Sequence, residues 1–198
     1  MSFHLSRNAG RRGERRLAQG QVAGPVSADR YRFDKTHTQV LFFVDHLGFS
    51  KSQGEFHDYD GTFVFDPADW PGSSVEVSIR TASLDMDDPE WDNHLRSKDF
   101  FDVGRFPDMR FRSTRVERTG EREGRVEGEL TLLGVTRPVT LDIRFNKAAV
   151  HPKTGQYVAG FSGHATVKRS DFGMTYGLPF VGDDVEVRLE VEGLREAE

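Results

Sequence analysis

The sequence predicts an all-β fold in which eight antiparallel strands close on themselves, as a barrel or as a tight sandwich. Phenylalanine, which fits strands better than helices, is frequent, with 16 residues in a chain of 198 that is only 36% hydrophobic. From Asp29 onward, apolar and polar residues alternate in one segment after another, which is the period of a strand with one buried face. Closure is expected because an open sheet would expose two edges and an apolar face.

Eight segments show this alternation and are the predicted strands. They are residues 40–46, 55–66, 75–79, 109–113, 126–132, 139–145, 161–167 and 185–191. The link between the fifth and sixth strands is predicted to be a hairpin, with Gly134 at the turn and Pro138 at the start of the returning strand.

One segment, near residues 88–102, departs from the alternation and predicts a helix between the third and fourth strands. Asp88 is a suitable N-cap, and Pro89 fits the first turn, where its missing N–H costs nothing. Trp91 and Leu95 are four residues apart and would form one apolar stripe on this helix.

Charge divides the chain into two parts. Residues 1–28 contain five arginines and one glutamate, a net charge of +4, with almost no apolar periodicity. We expect a disordered basic N-terminal arm there, more simply explained as a functionless extension than as an arm for nucleic acid or an anionic membrane. The other 22 basic and 31 acidic residues give residues 29–198 a net charge of −9, and we expect them to form one folded domain.

Composition excludes several function classes. The chain has no cysteine, and therefore no disulfide, thiolate nucleophile or cysteine-bound metal. A net charge of −5 disfavours nucleic acid as a partner. The longest apolar run, residues 40–44, is far shorter than the ~18 residues of a membrane span, so no stable membrane insertion is expected. Residues 17–26 are too polar for the core of a signal peptide, which favours a cytoplasmic location.

Small residues on the apolar strand faces raise the question of an internal cavity. Gly61, Gly128, Gly163 and Ala165 stand where a filled core would carry Leu or Phe. An elongated apolar cavity is one interpretation. The other is that bulky neighbours lean across these positions, since protein interiors are tightly packed as a rule.

Several ordered motifs resemble the bacterial YceI-like family, and together they cover about residues 30–194. The motifs are YRFD at 31–34, HTQVLFFVDHLG at 37–48, GEF at 54–56, DGTFVFD at 60–66, HLRSKDFFD at 94–102, FP at 106–107 with FRS at 111–113, GELTLLGVTRPV at 128–139 and RSDFG at 169–173. The resemblance implies an eight-stranded antiparallel lipocalin-like β-barrel with a short helical insertion between strands 3 and 4. Many relatives carry a secretory signal and are periplasmic, whereas this chain lacks an apolar signal core.

The resemblance also implies a function, the non-catalytic binding and carriage or storage of a long isoprenoid chain, such as an isoprenoid quinone or a polyprenyl derivative. The chain would occupy an apolar tunnel, and polar groups would meet its head at one mouth. The expected tunnel wall is Val40, Phe42, Val44, Phe63, Phe65, Val77, Ile79, Phe111, Leu130, Leu141, Ile143, Phe161 and Val187. The expected mouth is His46, His94, Arg96, Phe100, Phe101, Arg169 and Asp171.

Each of these assignments has a structural alternative. The wall residues could fill a dry core, and His46, which shares a face with Val40, could be a hydrogen-bonded structural histidine. Arg96, Asp99, Arg169 and Asp171 could pair with one another or cap backbone groups.

Two other functions are alternatives to lipid binding. A metal or haem site could use His37, His46, His57 and His94, although no recognised ligand spacing is present. An isomerase or hydrolase would need a carboxylate–histidine pair in the cavity. No enzyme signature supports it, so we expect no catalysis, no cofactor and no bound metal. A homodimer is left open.

Overall fold

The computed structural model describes residues 28–197, so the basic arm predicted for residues 1–28 lies outside the described residues except for Ala28. Within this range the chain forms eleven strands and one α-helix. In chain order they are β1 (Asp29–Phe33), β2 (Gln39–His46), β3 (Ser50–Phe56), β4 (Tyr59–Phe65), β5 (Ser74–Arg80), β6 (Leu84–Asp85), α1 (Pro89–Arg96), β7 (Asp108–Arg118), β8 (Glu123–Leu132), β9 (Val135–Val150), β10 (Tyr157–Lys168) and β11 (Val181–Arg195). No helix in residues 28–197 is long and apolar enough to cross a membrane.

The strands form a closed antiparallel barrel, as predicted. The order around the wall is β1, β4, β5, β7, β8, β9, β10 and β11, and β11 then pairs with β1 to close the ring. Strands β2, β3 and β6 extend three of these wall strands, β1, β4 and β5, toward one end of the barrel. The wall is therefore eight strands around, and three of them are interrupted.

Closure depends on β11, which uses both of its edges. One edge pairs with β10 from Asp184 to Leu194. The other edge pairs first with β2, through Val181 to Glu190, and then with β1, through Gly193 to Arg195. Its 15 residues thus join two short strands to the continuous part of the wall.

The three interruptions lie side by side, and we call them the crease: residues 34–38, 57–58 and 81–83. Hydrogen bonds across the crease do not follow a regular ladder. The Tyr59 hydroxyl donates to the Thr38 carbonyl at 2.6 Å, and the Ser83 hydroxyl accepts from the Asp58 N–H at 3.0 Å. Alternation along the sequence does not reveal such tertiary contacts. It therefore predicted one strand over residues 55–66, where the structure has a break at residues 57–58.

The helix begins as predicted and ends earlier. Asp88 caps it, and its carboxylate accepts from the N–H groups of Glu90 and Trp91 at 2.9 and 3.0 Å. It ends at Arg96 rather than near residue 102, and residues 97–101 form turns. The predicted apolar stripe was wrong for one member, because Leu95 is buried but Trp91 is 43% exposed.

The predicted hairpin is confirmed, with a shift in where the strand restarts. Leu133 and Gly134 form a two-residue turn in which both φ angles are positive, +52° and +72°, as a type I′ turn requires. Strand β9 begins at Val135, directly opposite Leu132, so Pro138 lies inside the strand rather than at its start.

Aromatic rings fill the end of the barrel that is remote from α1. Phe65 lies 4.9 Å from Phe161, 5.1 Å from Phe145 and 5.7 Å from Trp70, measured between ring centroids. Nearby, Tyr31 stacks on Phe63 at 4.8 Å and is only 2% exposed. Burial, reinforced by the negative charge of Asp29, raises the pKa of Tyr31 to about 12.

Arg169 holds the opposite end together. It is 4% exposed, and its guanidinium donates to the carbonyls of Gly182, Tyr176, Val181 and Met174 at 2.7 to 3.1 Å. Burial lowers the pKa of Arg169, although the group stays charged at neutral pH. One side chain thus fixes the loop that leads into β11.

The raised pKa of Tyr31 predicts a loss of stability in alkali. The unfolded chain releases this phenolic proton near pH 10 and the folded chain near pH 12, so between these values the folded state binds more protons. The free energy of unfolding should therefore fall by about 2–3 kcal/mol from this group as pH rises from 10 to 12. Urea denaturation at pH 9 to 12 should show a smaller decline for Tyr31→Phe. Equal declines in both proteins would contradict the assignment.

Replacement of Arg169 should destabilise the fold. Lysine cannot reach four carbonyls, so Arg169→Lys leaves buried acceptors unpaired and should cost about 2–4 kcal/mol of unfolding free energy. Arg188→Lys is the matched control, because Arg188 is exposed above the ring of Phe43, and it should cost less than about 1 kcal/mol. Equilibrium unfolding in urea measures both, and equal losses would refute the anchoring role.

Candidate ligand-binding cavity

A cavity of about 210 Å³, counted as the space open to the centre of a water-sized sphere, runs inside the barrel. Thirty residues line it, drawn from β1 to β5 and from β7 to β11, and from the turn before β5. Among these residues of the described chain, the only polar side chains are three serines, and none is charged. The cavity can therefore offer contact to an apolar molecule but no ion pair.

The structure places twelve of the thirteen predicted wall residues on this cavity. They are Val40, Phe42, Phe63, Phe65, Val77, Ile79, Phe111, Leu130, Leu141, Ile143, Phe161 and Val187. Val44 is the exception, because it lies beyond the cavity toward the end of β2. Strand alternation, which places every second side chain inside, is the physical reason for this grouping.

The lining also includes residues that the predicted wall omits. Phe33 stands in β1, a strand too short for alternation to reveal. Trp70 lies in a 3-10 turn between β4 and β5, where no period applies, although Asp69 before it and Pro71 after it are signs of a capped turn. Both rings face the interior, and Trp70 is 3% exposed.

The small residues of the apolar face differ in what surrounds them. A side-chain carbon on Gly61 would lie 2.9 Å from the Phe33 ring, and one on Gly128 would lie 2.6 Å from the carbonyl of Arg112 and closer still to the Phe111 ring. Neighbouring rings thus fill these two positions. Gly163 differs, because its nearest neighbours would be at ordinary contact distance, 3.5 to 3.7 Å, and it lines the cavity.

Trp70 closes the end of the cavity remote from α1. Its ring packs on Phe65 and lies over Gly124, where a side-chain carbon would clash with it. Outside, the guanidinium of Arg118 sits 5.5 Å from the centre of the ring. Ser73, next to this turn, has a buried hydroxyl without a hydrogen-bond partner.

The opposite end is covered by α1 and the turns that follow it. Phe101 packs edge-on against Phe56, with 5.5 Å between ring centroids, and Phe56 lines the cavity. Phe100 and Phe101 are buried at 7% and 9% exposure. The two predicted mouth aromatics therefore form part of the cover rather than the rim of an opening.

The predicted polar mouth residues reach this end of the barrel but do not line the cavity. His46 packs against Trp91, with 5.8 Å between the rings, and His94 packs against Phe100 and Tyr176 at 5.1 and 5.0 Å. Contact with a ligand head group by either histidine stays a prediction.

The charged members of the predicted mouth contact backbone or solvent. Arg96 donates to the carbonyls of Ala82 and Leu84 at 2.9 and 2.7 Å, which ties α1 to β6. The guanidinium of Arg169 donates to the four carbonyls described above, and Asp171 is exposed. Both arginines thus cap backbone groups, as the structural alternative proposed.

The four histidines weighed as metal ligands are not gathered into one site. His57 contacts Asp85, and His94 lies 3.7 Å from Asp99. Within residues 28–197, Asp34, His37 and Glu192 form the one cluster of three groups close enough to share a metal ion. Asp34 accepts from His37 at 2.7 Å, and this contact raises the pKa of His37, so the pair is an ordinary surface ion pair.

A second hollow, of about 260 Å³ by the same measure, lies beside this cluster on the outer face. Its lining is mixed, with Lys147 and Glu190 among apolar residues such as Val150 and Val158. Phe161 and Val191 line both hollows and so form part of the partition between them. The outer hollow lies on the outside of the wall, whereas the inner one lies inside the barrel.

Similar structures share this barrel. The YCEI protein of Campylobacter jejuni superposes with a TM-score of 0.68 at 34% identity, over 78% of this chain and 90% of that protein. BcnA of Burkholderia cenocepacia gives 0.74 at 24% identity, over 81% and 98%. A polyisoprenoid binding domain from Saccharophagus degradans gives 0.64 at 12% identity, over 86% and 100%, and this likeness concerns the fold alone.

Sequence relatives extend over nearly the whole described chain. A UPF0312 protein of Pseudomonas paraeruginosa is 42% identical over 177 residues, 88% of this chain and 92% of its own length. Another, from Ectopseudomonas mendocina, is 40% identical over 182 residues, 91% and 95% of the two chains. The sequence model of the YceI-like domain matches residues 31–193, from the first strand of the barrel to the last. The chain belongs to the YceI-like family.

Proposed function

We propose that the barrel binds a long isoprenoid chain in its central cavity and carries or stores it unchanged. The observation that carries the proposal is the cavity lining, which is apolar apart from three serines and has no charged group among the described residues. Such a lining favours a ligand that is hydrocarbon over most of its length.

The size and dryness of the cavity support a ligand rather than solvent. A single water needs about 10–15 Å³ of space by this measure, together with two to four polar partners. The cavity offers about 210 Å³ and almost no partners. Apolar cavities of this kind stay dry and take up apolar molecules, because burial is favourable by about 25 cal/mol for each Å² removed from water.

The isoprenoid class is supported by the comparison with the Saccharophagus degradans domain, which is described as polyisoprenoid binding and has the same fold. A prenyl chain is branched at regular intervals, and the cavity wall combines flat rings with branched valines and isoleucines. Affinity should therefore come from the tail, with the quinone or phosphate head contributing little.

The proposal also states that the protein does not convert its ligand. Within the described residues, the cavity lining contains no histidine, carboxylate or lysine that could act as an acid or a base. One of its serines, Ser162, donates its hydroxyl to Glu190 at 2.6 Å on the outer face. The lining thus suits retention of a ligand better than its conversion.

The direct test is extraction of the protein purified from its own host with organic solvent, followed by mass spectrometry. We expect an isoprenoid in near-stoichiometric amount. Ligand-free protein should also take up squalene and a prenylated benzoquinone from ethanol solution. Quenching of tryptophan fluorescence measures uptake of the quinone, and mass spectrometry of the protein after gel filtration measures uptake of squalene. Absence of any co-purified lipid, together with no uptake of either probe, would refute the carrier function.

Gly163→Leu should separate ligand binding from folding. A leucine there projects into the cavity without a clash, so affinity for squalene should fall about tenfold, which is about 1.4 kcal/mol. Stability of the ligand-free protein should stay equal or rise by about 1 kcal/mol, because a strand glycine is removed and apolar area is buried.

The matched control is Thr166→Leu, which adds leucine to the outer face of the same strand. Its squalene affinity should equal that of the unmodified protein. Gly128→Leu is not a usable test, because the Arg112 carbonyl and the Phe111 ring leave no room for a side chain. Undiminished squalene binding by Gly163→Leu would show that the ligand lies elsewhere.

A further inference from the structure

Exposed apolar side chains are concentrated at one end of the barrel. Six large hydrophobic residues of the described chain are exposed, and five of them lie around α1. We call these five the aromatic rim: Leu47 (48% exposed), Phe49 (88%), Trp91 (43%), Tyr176 (48%) and Phe180 (69%). The sixth, Val150, is the last residue of β9 and lies opposite the first residue of β10. It is therefore about 40 Å from Lys168, at the other end of β10, at the usual rise per strand residue.

Contacts between three chain segments bring the aromatic rim together. The Leu47 N–H donates to the Phe180 carbonyl at 3.0 Å, which joins the turn between β2 and β3 to the loop before β11. Trp91 of α1 packs on His46, and His94 of the same helix packs on Tyr176. The Phe49 N–H donates to the His46 carbonyl at 3.0 Å, which places Phe49 in the same group. The five residues therefore lie close together at one end of the barrel, and a concentration of exposed apolar groups of this kind marks an interaction surface.

The backbone of Leu47 gives independent support. Leu47 has φ of +57° in the three-residue link 47–49, at the first central position of the turn that the Phe49 N–H closes on the His46 carbonyl at 3.0 Å. Asparagine, aspartate or glycine is normally favoured at such a position. Leu133 has a similar φ of +52°, but its side chain packs against the core. The Leu47 side chain is exposed and gains no such packing, so a conformation unfavourable to leucine is kept for an exposed apolar group.

Aromatic contacts lead inward from the aromatic rim to the cavity. Tyr176 packs on Phe100, with 5.2 Å between ring centroids, and Phe100 precedes Phe101 in the chain. Phe101 under α1 contacts Phe56, and Phe56 contacts Phe42 with 5.4 Å between ring centroids. Phe56 and Phe42 both line the cavity. Strand β6 pairs with β3 but not with β7 in the described sheet, so at this point α1 covers the wall in place of a strand ladder.

The charge around the rim disfavours an anionic partner. Residues 85–102 contain seven acidic and two basic residues, and one of the basic residues, Arg96, is bound to backbone carbonyls. An anionic surface would be repelled by this segment. Tryptophan, tyrosine and phenylalanine are the residues that settle at the interface between lipid head groups and hydrocarbon.

We propose that the aromatic rim docks on the surface of an uncharged or zwitterionic lipid bilayer, so that the apolar ligand passes between bilayer and cavity at the α1 end. The proposal rests on the proposed function, because a protein that carries a membrane-dissolved chain must meet the membrane. Docking would be peripheral, by side chains that reach the head-group boundary.

The test is flotation of the full chain with vesicles of phosphatidylcholine. The double variant Phe49→Ser/Phe180→Ser should lower the partition coefficient about tenfold or more, and Leu47→Asn should lower it by a smaller factor. Leu47→Asn should also raise the melting temperature, because asparagine tolerates the left-handed backbone. Lost binding together with gained stability cannot arise from unfolding.

The matched control is Val150→Asn, which removes an exposed apolar residue outside the rim and should change the partition coefficient less than twofold. Binding to phosphatidylcholine should persist in 1 M salt, since it is not electrostatic.

Three results would overturn the docking proposal. The first is that the unmodified protein does not float with the vesicles. The second is that the rim variants bind as well as Val150→Asn. The third is that vesicle binding is absent and ultracentrifugation shows a dimer that the rim variants dissociate. The last result would assign the rim to a second copy of the chain. Squalene uptake from ethanol is scored separately: rim variants should keep it, and its absence in the unmodified protein refutes the carrier function instead.

Discussion

Closure of the barrel rests on the pairing of β11 with two strands along a single edge. Strands β1 and β2 are short, and neither alone could complete the wall, but both find partners along the 15 residues of β11. Without this pairing β11 on one side and β1 and β2 on the other would have open edges, and the apolar face would meet water. The cavity depends on this pairing for a wall without a gap, whereas Trp70 and α1 cover its two ends.

Inside the wall, aromatic rings lie over some of the glycines. At Gly61 and Gly128 a phenylalanine from a neighbouring strand packs over the glycine and fills the space that a side chain would take. At Gly163 no ring does so, and the space stays open. The interior is thus packed at some levels and hollow at others, which reconciles a tightly packed core with a ligand-sized cavity.

Alternation predicted the parts of the fold that depend on one strand at a time. It identified seven of the eight wall strands, together with β2, which extends the eighth, and twelve lining residues. The side of the wall that a strand residue faces is a local property. It could not find the break at residues 57–58, which depends on a hydrogen bond from the Tyr59 hydroxyl to the distant Thr38 carbonyl and on one from the Asp58 N–H to the distant Ser83 hydroxyl. Trp91 was misplaced for a similar reason, since a helix of eight residues laid across a barrel end buries only part of its stripe.

The crease gives the barrel two kinds of wall. From β7 to β11 the strands run unbroken for up to 16 residues, with β-bulges in the β7–β8 and β9–β10 pairs. The other three wall strands are divided at the same level and held there by backbone and side-chain hydrogen bonds outside the regular ladders. One side of the barrel is therefore built from uninterrupted strands, whereas the other side depends at one level on individual tertiary contacts rather than on strand pairing.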